Sequence, residues 1–263
     1  MKTKLFYFAQ FLGFIILFYV LSLASIGGLI FPFAFSMLFA LAWANQKVWL
    51  LSPAYLIGTI CTNPTLQTAI CSLVTVFVLV LPYYIHVLCK KGMKKWELFL
   101  CLLVSQTASI TFQALGSLNP ALIVVNMVTA LLFCYAAITF FEPLLLRGTA
   151  FKFSNFEIVC AGILLVAFAS GLNNFNFYIF SFLKFFAPFI ILAFNYIASA
   201  RTGILVASLM ALGTLIASNN PIYFAPLILW ALFAGIFSTK HRIFSIAGVV
   251  VAELICGFYF RTY

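Results

Sequence analysis

The segment that decides the fold is Gln67–Cys89, QTAICSLVTVFVLVLPYYIHVLC, whose 23 residues include no Asp, Glu, Lys or Arg. A helix of about 20 apolar residues is long enough to cross a bilayer. The uncharged stretch Asn63–Leu66 precedes the segment, and the basic stretch KKGMKK follows it at residues 90–95. Apolar stretches recur from Leu5 to Phe260, which indicates that lipid surrounds nearly the whole chain.

The composition agrees with a membrane protein and excludes several catalytic chemistries. The chain is 66% hydrophobic and 7% charged, with a mean hydropathy of +1.21, whereas a soluble domain needs far more surface charge. It has no aspartate, and its four glutamates are Glu97, Glu142, Glu157 and Glu253. Two-carboxylate hydrolysis, aspartate-bound Mg²⁺ and Ser-His-Asp catalysis therefore lack their parts.

Polar and turn residues divide the chain into about eleven candidate helices. We therefore expect a single all-α integral membrane domain of ten or eleven spans over residues 1–263. The segments are Leu5–Ala24, Gly28–Ala44, Val48–Thr62, Gln67–Cys89, Glu97–Gln113, Asn119–Leu146, Glu157–Leu172, Phe175–Ala198, Thr202–Ser218, Pro221–Ser238 and Ile243–Phe260.

Basic residues occupy every second connection, which predicts the orientation. The basic connections contain Lys2 and Lys4, Lys47, Lys90–Lys95, Arg147 and Lys152, Arg201, and Lys240 and Arg242. The uncharged connections are Ser25–Gly27, Asn63–Leu66, Ala114–Leu118, Asn173–Asn174 and Asn219–Asn220. The positive-inside rule predicts that the N-terminus lies in the cytoplasm. Anionic lipid of the cytoplasmic leaflet accounts for the net charge of +10 without a nucleic-acid partner.

Two features have simple explanations. Lys2 and Lys4 before an apolar run resemble a secretion signal, but the run is longer than a signal core, so we expect a retained first helix. The seven cysteines form no C-x-x-C pair and lie mostly in apolar segments. With only two histidines in the chain, we expect no metal site, no cofactor and no structural disulfide.

Small residues predict how the later helices associate. Ser199, Gly203, Ala207 and Ala211 recur every four residues and so share one helical face. Membrane helices approach closely at such positions because lipid tails are as apolar as leucine. The same spacing recurs at Gly171 with Ala167, Gly235 with Ala231, and Gly248 with Ala252.

Two ionisable residues, Lys184 and Glu253, fall inside predicted spans. At 1.5 Å per residue they lie roughly 13 Å and 10 Å from the outer ends of their segments. An ion pair between them would fit that similar depth, as a pin between helices or as part of a transport route. Alternatively, Lys184 extends towards water while Glu253 is protonated.

Other polar residues are expected at helix ends or between helices. Glu142 and Glu157 lie near Arg147 and Lys152 and are predicted to be interfacial. The remaining expectations are a cytoplasmic aromatic belt with Trp43, Trp49 and Trp96 beside Lys47 and Lys95, and interhelical hydrogen bonds from Gln106, Gln113 and Asn126.

Four short stretches of the sequence together resemble a known family. They are Phe31–Phe35 with Leu38–Leu41, then Phe153–Glu157 with Ala169–Leu172, then Ala200–Gly213, and finally Leu232–Phe237 with Arg242 and Gly248. In this order they resemble the N-terminal membrane domain of stage II sporulation protein E, a bacterial sporulation phosphatase. This chain departs from the pattern where Ala and Ser replace glycines in the third stretch, and where a Glu pair is reduced to Glu157.

The resemblance implies a membrane anchor rather than a catalyst. In that family the membrane domain holds a cytosolic metal-dependent phosphatase at the division septum. It also implies septum proteins as partners, while a homo-oligomer is left open. A cytosolic C-terminus requires an even number of spans, so one segment would be re-entrant, and Glu253 makes Ile243–Phe260 the weakest span.

Two functions are foremost, and a lipid-modifying or lipid-flipping membrane enzyme is a third. The first is a membrane-anchoring and localisation scaffold. The second is a small-solute transporter or substrate-binding membrane component, which Lys184, Glu253 and helix-breaking prolines at Pro82, Pro188 and Pro226 would favour.

Overall fold

Helices dominate the structure, as the sequence predicts. A computed structural model of the chain describes residues 2–27, 31–44, 47–89, 93–113, 120–147, 153–177, 180–219, 221, 224–238 and 242–260. Eleven helices form nearly all of the secondary structure of these ranges, which confirms the all-α class. Part of the predicted charge pattern lies outside the described residues, namely Lys90, Lys91, Lys152, Lys240 and the connection 114–118.

The elements follow one another with short connections. They are α1 (Lys2–Leu23), α2 (Phe33–Trp43), α3 (Val48–Thr62), α4 (Leu66–Leu88), α5 (Lys95–Gln113), α6 (Pro120–Arg147), α7 (Asn155–Asn174), β1 (Asn176–Phe177), β2 (Phe180–Ser181), α8 (Phe182–Ile197), α9 (Ala200–Ser218), α10 (Phe224–Ser238) and α11 (Arg242–Phe260).

Two predicted helix starts are wrong. The second helix begins at Phe33 rather than Gly28, with Pro32 at its N-cap, where a missing backbone N–H costs nothing. The eighth begins at Phe182 rather than Phe175. The residues before it form the antiparallel pair of β1 and β2, with Asn176 opposite Ser181. Both stretches are apolar, so their composition does not distinguish a helix from a turn or hairpin.

Within the described ranges, five helices are long and apolar enough to cross a membrane, so the chain is a multi-pass membrane protein. They are Phe6–Leu23, Leu66–Leu88, Pro120–Leu144, Asn155–Asn174 and Ala200–Ser218. Shorter apolar helices are Phe33–Trp43, Val48–Thr62, Phe182–Ile197, Phe224–Phe237 and Phe244–Phe258. Many large apolar side chains on these helices are exposed, including Phe8, Phe77 and Phe189. Such a surface suits lipid rather than water.

The chain divides into two compact units. Unit 1 comprises residues 1–23 and 30–164, and unit 2 comprises residues 24–29 and 165–263, so the division falls within α7.

In unit 1, α1 packs on α3, α2 on α6, and α4 on both α3 and α5. Its core contains the fully buried rings of Phe18, Phe39 and Phe133. Phe133 of α6 makes an edge-on contact with Phe33 of α2 at 5.0 Å between ring centroids.

Hydroxyl groups also connect the helices of unit 1. Thr59 of α3 and Ser72 of α4 are 3.0 Å apart at their oxygens. One turn further along α4, the hydroxyl of Ser105 from α5 donates to Thr75 Oγ1, also at 3.0 Å. Both threonines donate in turn to carbonyls of their own helices. These buried polar groups are thus satisfied without water.

In unit 2, α10 packs against α8, α9 and α11, and α8 packs against α9. The non-helical residues after α1 belong to this unit. Buried Ser25 receives a hydrogen bond on its carbonyl from Ser170 Oγ, which in turn accepts from the Ser25 N–H at 3.1 Å. The N–H of Gly27 donates to the carbonyl of Ile216 at 2.7 Å. Gly27 has a φ of 60°, a conformation that glycine adopts without strain.

The prolines do not break the helices. Pro82 lies inside α4 and Pro188 inside α8, and Pro226 is the third residue of α10. A proline in the first turn removes no helical hydrogen bond. The prediction that these prolines interrupt spans is therefore wrong.

Candidate functional site

Charged side chains come together where α5 and α7 begin and α6 ends. Lys95 is the first residue of α5, and its Nζ lies 3.1 Å from Oε2 of Glu142 near the end of α6. Both side chains are partly exposed, at 53% and 34%. The pair joins positions 47 residues apart in the chain. It shows that the ends of α5 and α6 meet.

A partly open cavity of about 380 Å³ lies beside this ion pair, within unit 1. Its lining combines one amine, two carboxylates, two hydroxyls and aromatic walls. The lining residues are Lys95, Phe99, Tyr135, Ile138, Thr139, Glu142, Pro143, Phe156 and Glu157. A concave site with a few polar groups on apolar walls is the usual form of a small-molecule pocket. We call it the α5–α7 cavity.

Glu157 is held in the cavity wall by the start of its own helix. Its Oε2 accepts a hydrogen bond from the backbone N–H of Ser154 at 2.7 Å, and the Glu157 N–H donates to Ser154 Oγ at 3.3 Å. This reciprocal arrangement is a capping box, which the sequence Ser154–Glu157 (SNFE) could have predicted. Of the predicted basic neighbours of Glu157, Lys152 lies outside the described residues.

The predicted aromatic belt places basic and aromatic groups together at helix ends of unit 1. Lys47 Nζ donates to the hydroxyl of Tyr7 at 2.6 Å and lies 3.9 Å from the centre of that ring. The Tyr7 ring in turn contacts Trp49 edge-on at 6.5 Å. Lys95 Nζ lies 5.5 Å from the centre of the Trp43 ring. Contacts of this kind hold a cation at an aromatic face.

A second contact between a histidine and a glutamate lies outside the cavity. His86 Nε2 near the end of α4 is 3.1 Å from Oε2 of Glu97 in α5. The same Glu97 oxygen accepts the backbone N–H of Lys94 at 2.8 Å. Glu97 therefore resembles Glu157 in being a glutamate that caps the helix in which it lies.

The small residues predicted to pack are mostly buried, with one exception. Ala207 and Ala211 are fully buried, and Gly203 is buried beside the carboxamide of Asn195 from α8, which a Cβ at position 203 would overlap. Ser199 is exposed instead. It is the N-cap of α9, and its hydroxyl accepts from the Thr202 N–H at 3.3 Å. Its assignment to the packing face is therefore wrong, because the helix begins one residue after it.

Gly235 and Gly248 are both buried in unit 2. A Cβ on Gly235 would lie 3.1 Å from the Ala200 Cβ, and one on Gly248 would lie 2.8 Å from the Phe233 carbonyl oxygen. Gly213, which the small-residue pattern did not single out, would bring a Cβ to 2.8 Å from the Ala169 Cβ. Close approach at Gly213 and Gly248 brings one helix against the backbone of another.

The depth argument for a Lys184–Glu253 ion pair is wrong. Because α8 begins at Phe182, the half-buried Lys184 lies in its first turn rather than deep in a span. Glu253 lies well inside α11, and its Oε2 accepts a hydrogen bond from the indole N–H of Trp230 in α10 at 3.0 Å. The sequence did not predict Trp230 as the partner of Glu253.

Three carboxamides have buried atoms without a hydrogen-bond partner, unlike the hydroxyls of unit 1. Gln106 is buried without a hydrogen-bond partner for either amide atom, so its predicted interhelical hydrogen bond is not formed. Asn195 is likewise buried and unpartnered, and Asn126 lacks a partner for Oδ1. The side chain of Gln113 lies outside the described residues. All seven cysteines are free thiols.

No protein-family model, curated protein or solved structure matches the chain.

Proposed function

We propose that this chain is a membrane-anchoring and scaffold domain that performs no catalysis itself. The observation that supports it most is the separation of its polar groups. Among the described residues, Lys95 pairs with Glu142 near the end of α6, and Glu97, which contacts His86, lies in the first turn of α5. Polar groups gathered at helix ends suit an anchor whose apolar helices lie in lipid.

The hydroxyls inside the described helices support the same proposal. Ser52, Thr59 and Thr75 each donate to the carbonyl four residues earlier in their own helix. A hydroxyl that donates to its own backbone has lost its donor for a passing solute. Such interiors favour a structural role over a transport route.

We further propose that the anchoring takes place at the division septum of a bacterial inner membrane, with the N-terminus in the cytoplasm. The basis is the ordered resemblance of Phe31–Phe35, Phe153–Glu157 and Leu232–Phe237 to the membrane domain of the sporulation phosphatase family. Septum proteins are then the partners to be sought.

Localisation of a fluorescent fusion of the full chain tests this function. We expect the fusion to concentrate at the septum during asymmetric division, and a tagged multi-pass protein of unrelated sequence to spread evenly. An even distribution of both proteins at every stage would contradict the septum proposal. Tags at each terminus, read with a probe that fluoresces only in the cytoplasm, would test the orientation.

A small-solute or proton pathway is the second candidate, because Glu253 lies inside α11 with the Trp230 indole on its carboxylate. An ionisable group inside a membrane helix is often functional. Purified protein in vesicles containing a pH-sensitive dye would test this directly. A proton flux that the wild type supports and Glu253→Gln abolishes, with unchanged protein abundance, would favour transport. Equal traces for wild type, variant and empty vesicles would remove a proton pathway.

A further inference from the structure

We propose that the α5–α7 cavity binds a zwitterionic aminophosphate headgroup, in which a primary ammonium is linked to a phosphate. The cavity volume of about 380 Å³ lies within the roughly 300–1,000 Å³ typical of small-molecule sites. The proposal rests on the chemistry of the cavity lining and would hold for an anchor or a transporter.

The carboxylates and rings of the lining suit an ammonium group. Glu142 and Glu157 both line the cavity, as do the rings of Tyr135 and Phe156. These two rings are 6.3 Å apart at an angle of 63°. Carboxylates attract a cation, and aromatic faces attract it further through their negative quadrupole. This part of the cavity therefore favours positive charge.

Lys95 suits the phosphate. Its amine lies at the cavity wall, 3.1 Å from Glu142, and its side chain is 53% exposed. A lysine ammonium binds phosphate as a point charge with three donors. A lone phosphate would face two carboxylates with one lysine, and a lone cation would meet the lysine. A ligand that carries both charges avoids both repulsions.

The available acceptors favour a primary amine over a trimethylated one. Thr139 Oγ1 already donates its proton to the carbonyl of Tyr135 at 2.8 Å, so towards the cavity it acts as an acceptor. Glu157 uses Oε2 for the Ser154 N–H, and its second oxygen adds acceptor capacity. A primary ammonium can donate three hydrogen bonds to such groups, whereas a trimethylammonium can donate none.

The position of the cavity admits two sources of this headgroup. The site lies at helix ends, beside the aromatic belt residues Trp43 and Lys95, where lipid headgroups lie. The headgroup can thus belong to an aminophospholipid of the bilayer or to a free aminophosphate in solution. The two sources share one recognition chemistry, and experiment distinguishes them.

Binding can be measured with the delipidated full chain in detergent. Native mass spectrometry would follow its occupancy by phosphatidylethanolamine and by phosphatidylcholine of matched acyl chains. Glycerophosphoethanolamine, ethanolamine and inorganic phosphate would be titrated separately, with the thermal unfolding midpoint as the readout. We expect phosphatidylethanolamine to bind about tenfold more tightly than phosphatidylcholine, the ratio expected for loss of charge-assisted hydrogen bonds. Preference for glycerophosphoethanolamine alone would identify the free source.

The structure offers a matched pair of variants. Glu157→Gln removes a carboxylate from the cavity but keeps an oxygen for the Ser154 N–H, because glutamine also serves in a capping box. Glu97→Gln makes the same change at a capping glutamate outside the cavity lining. We expect the first to reduce phosphatidylethanolamine binding about tenfold and the second by less than about twofold.

Three results would overturn the proposal. One is equal binding of the two lipids by the wild type. Another is an equal loss with Glu157→Gln and Glu97→Gln. The third is stabilisation by inorganic phosphate or ethanolamine alone that matches the effect of glycerophosphoethanolamine.

Discussion

Helices are joined differently in the two units of this chain. In unit 1, hydroxyl pairs such as Thr59–Ser72 and Thr75–Ser105 link neighbouring helices. In unit 2, glycines such as Gly213 and Gly248 bring backbones into contact. A hydroxyl pair contributes modestly and tolerates replacement, whereas a glycine contact leaves no room for any side chain. The two units should therefore respond differently to substitution.

The largest effect is expected for Gly248→Leu in unit 2. The new side chain would meet the carbonyl oxygen of Phe233 and the ring of Phe237, both 2.8 Å from the Cβ position. A backbone group cannot move aside, so we expect destabilisation above about 3 kcal/mol. Thermal unfolding in detergent would measure it. Gly257→Leu is the control on the same helix, since a Cβ there meets nothing within 4 Å.

Gly58 is a glycine contact of the unit 2 kind that lies in unit 1, so it tests whether the two units really differ. A Cβ there would lie 2.8 Å from the Phe18 Cβ and 2.9 Å from the Tyr19 nitrogen of α1. We expect Gly58→Leu to cost about 2–3 kcal/mol by forcing α1 from α3. The control is Gly13→Leu on α1, where the space is open. Equal unfolding midpoints for both variants would mean that α1 is not firmly packed.

Asn195 and Gly203 allow a smaller, coupled test in unit 2. Gly203→Ala should cost about 1–3 kcal/mol because its Cβ would overlap the Asn195 carboxamide. Asn195→Ala removes that carboxamide, which is buried without a partner. The double variant should then recover most of the loss, since contacting residues are not additive. Additive losses in a double-mutant cycle would show that the two side chains do not touch.

The smallest effect is expected for the hydroxyl pair of unit 1. Thr75→Val and Ser105→Ala each remove one partner of a 3.0 Å hydrogen bond. Hydrogen bonds between membrane helices average about 0.6 kcal/mol in such cycles. A double-mutant cycle by chemical unfolding in mixed micelles would measure the coupling. A coupling above about 2 kcal/mol would remove the contrast between the units.

The sequence predicted the number of helices and most of their bounds because charged and turn residues mark the connections. Val48–Thr62 was placed correctly at both ends. The start of α8 was not, since Phe175–Ser181 is as apolar as the helix it precedes. The hydropathy of a residue indicates whether it prefers lipid or water, but it does not specify the backbone conformation.

The candidate site was harder to predict. The sequence placed Glu142 and Glu157 at helix ends, but not Lys95 beside Glu142, because that pairing depends on how α5 and α6 meet. The packing face at Gly203, Ala207 and Ala211 could be predicted from the sequence, since a four-residue spacing fixes a helical face. Whether Ser199 belongs to that face depends on where the helix begins, and helix boundaries are the least certain part of a prediction from sequence.

The shortness of several apolar helices has a consequence for the surrounding lipid. At 1.5 Å per residue, the 15 residues of α10 and the 16 of α8 rise about 22–24 Å, less than the roughly 30 Å hydrocarbon thickness of a bilayer. If these two helices cross the bilayer, the hydrophobic mismatch is relieved by local thinning of the bilayer at a modest cost per ångström. We therefore expect shorter acyl chains to gather beside these helices, and the protein to be sorted towards thinner regions of membrane.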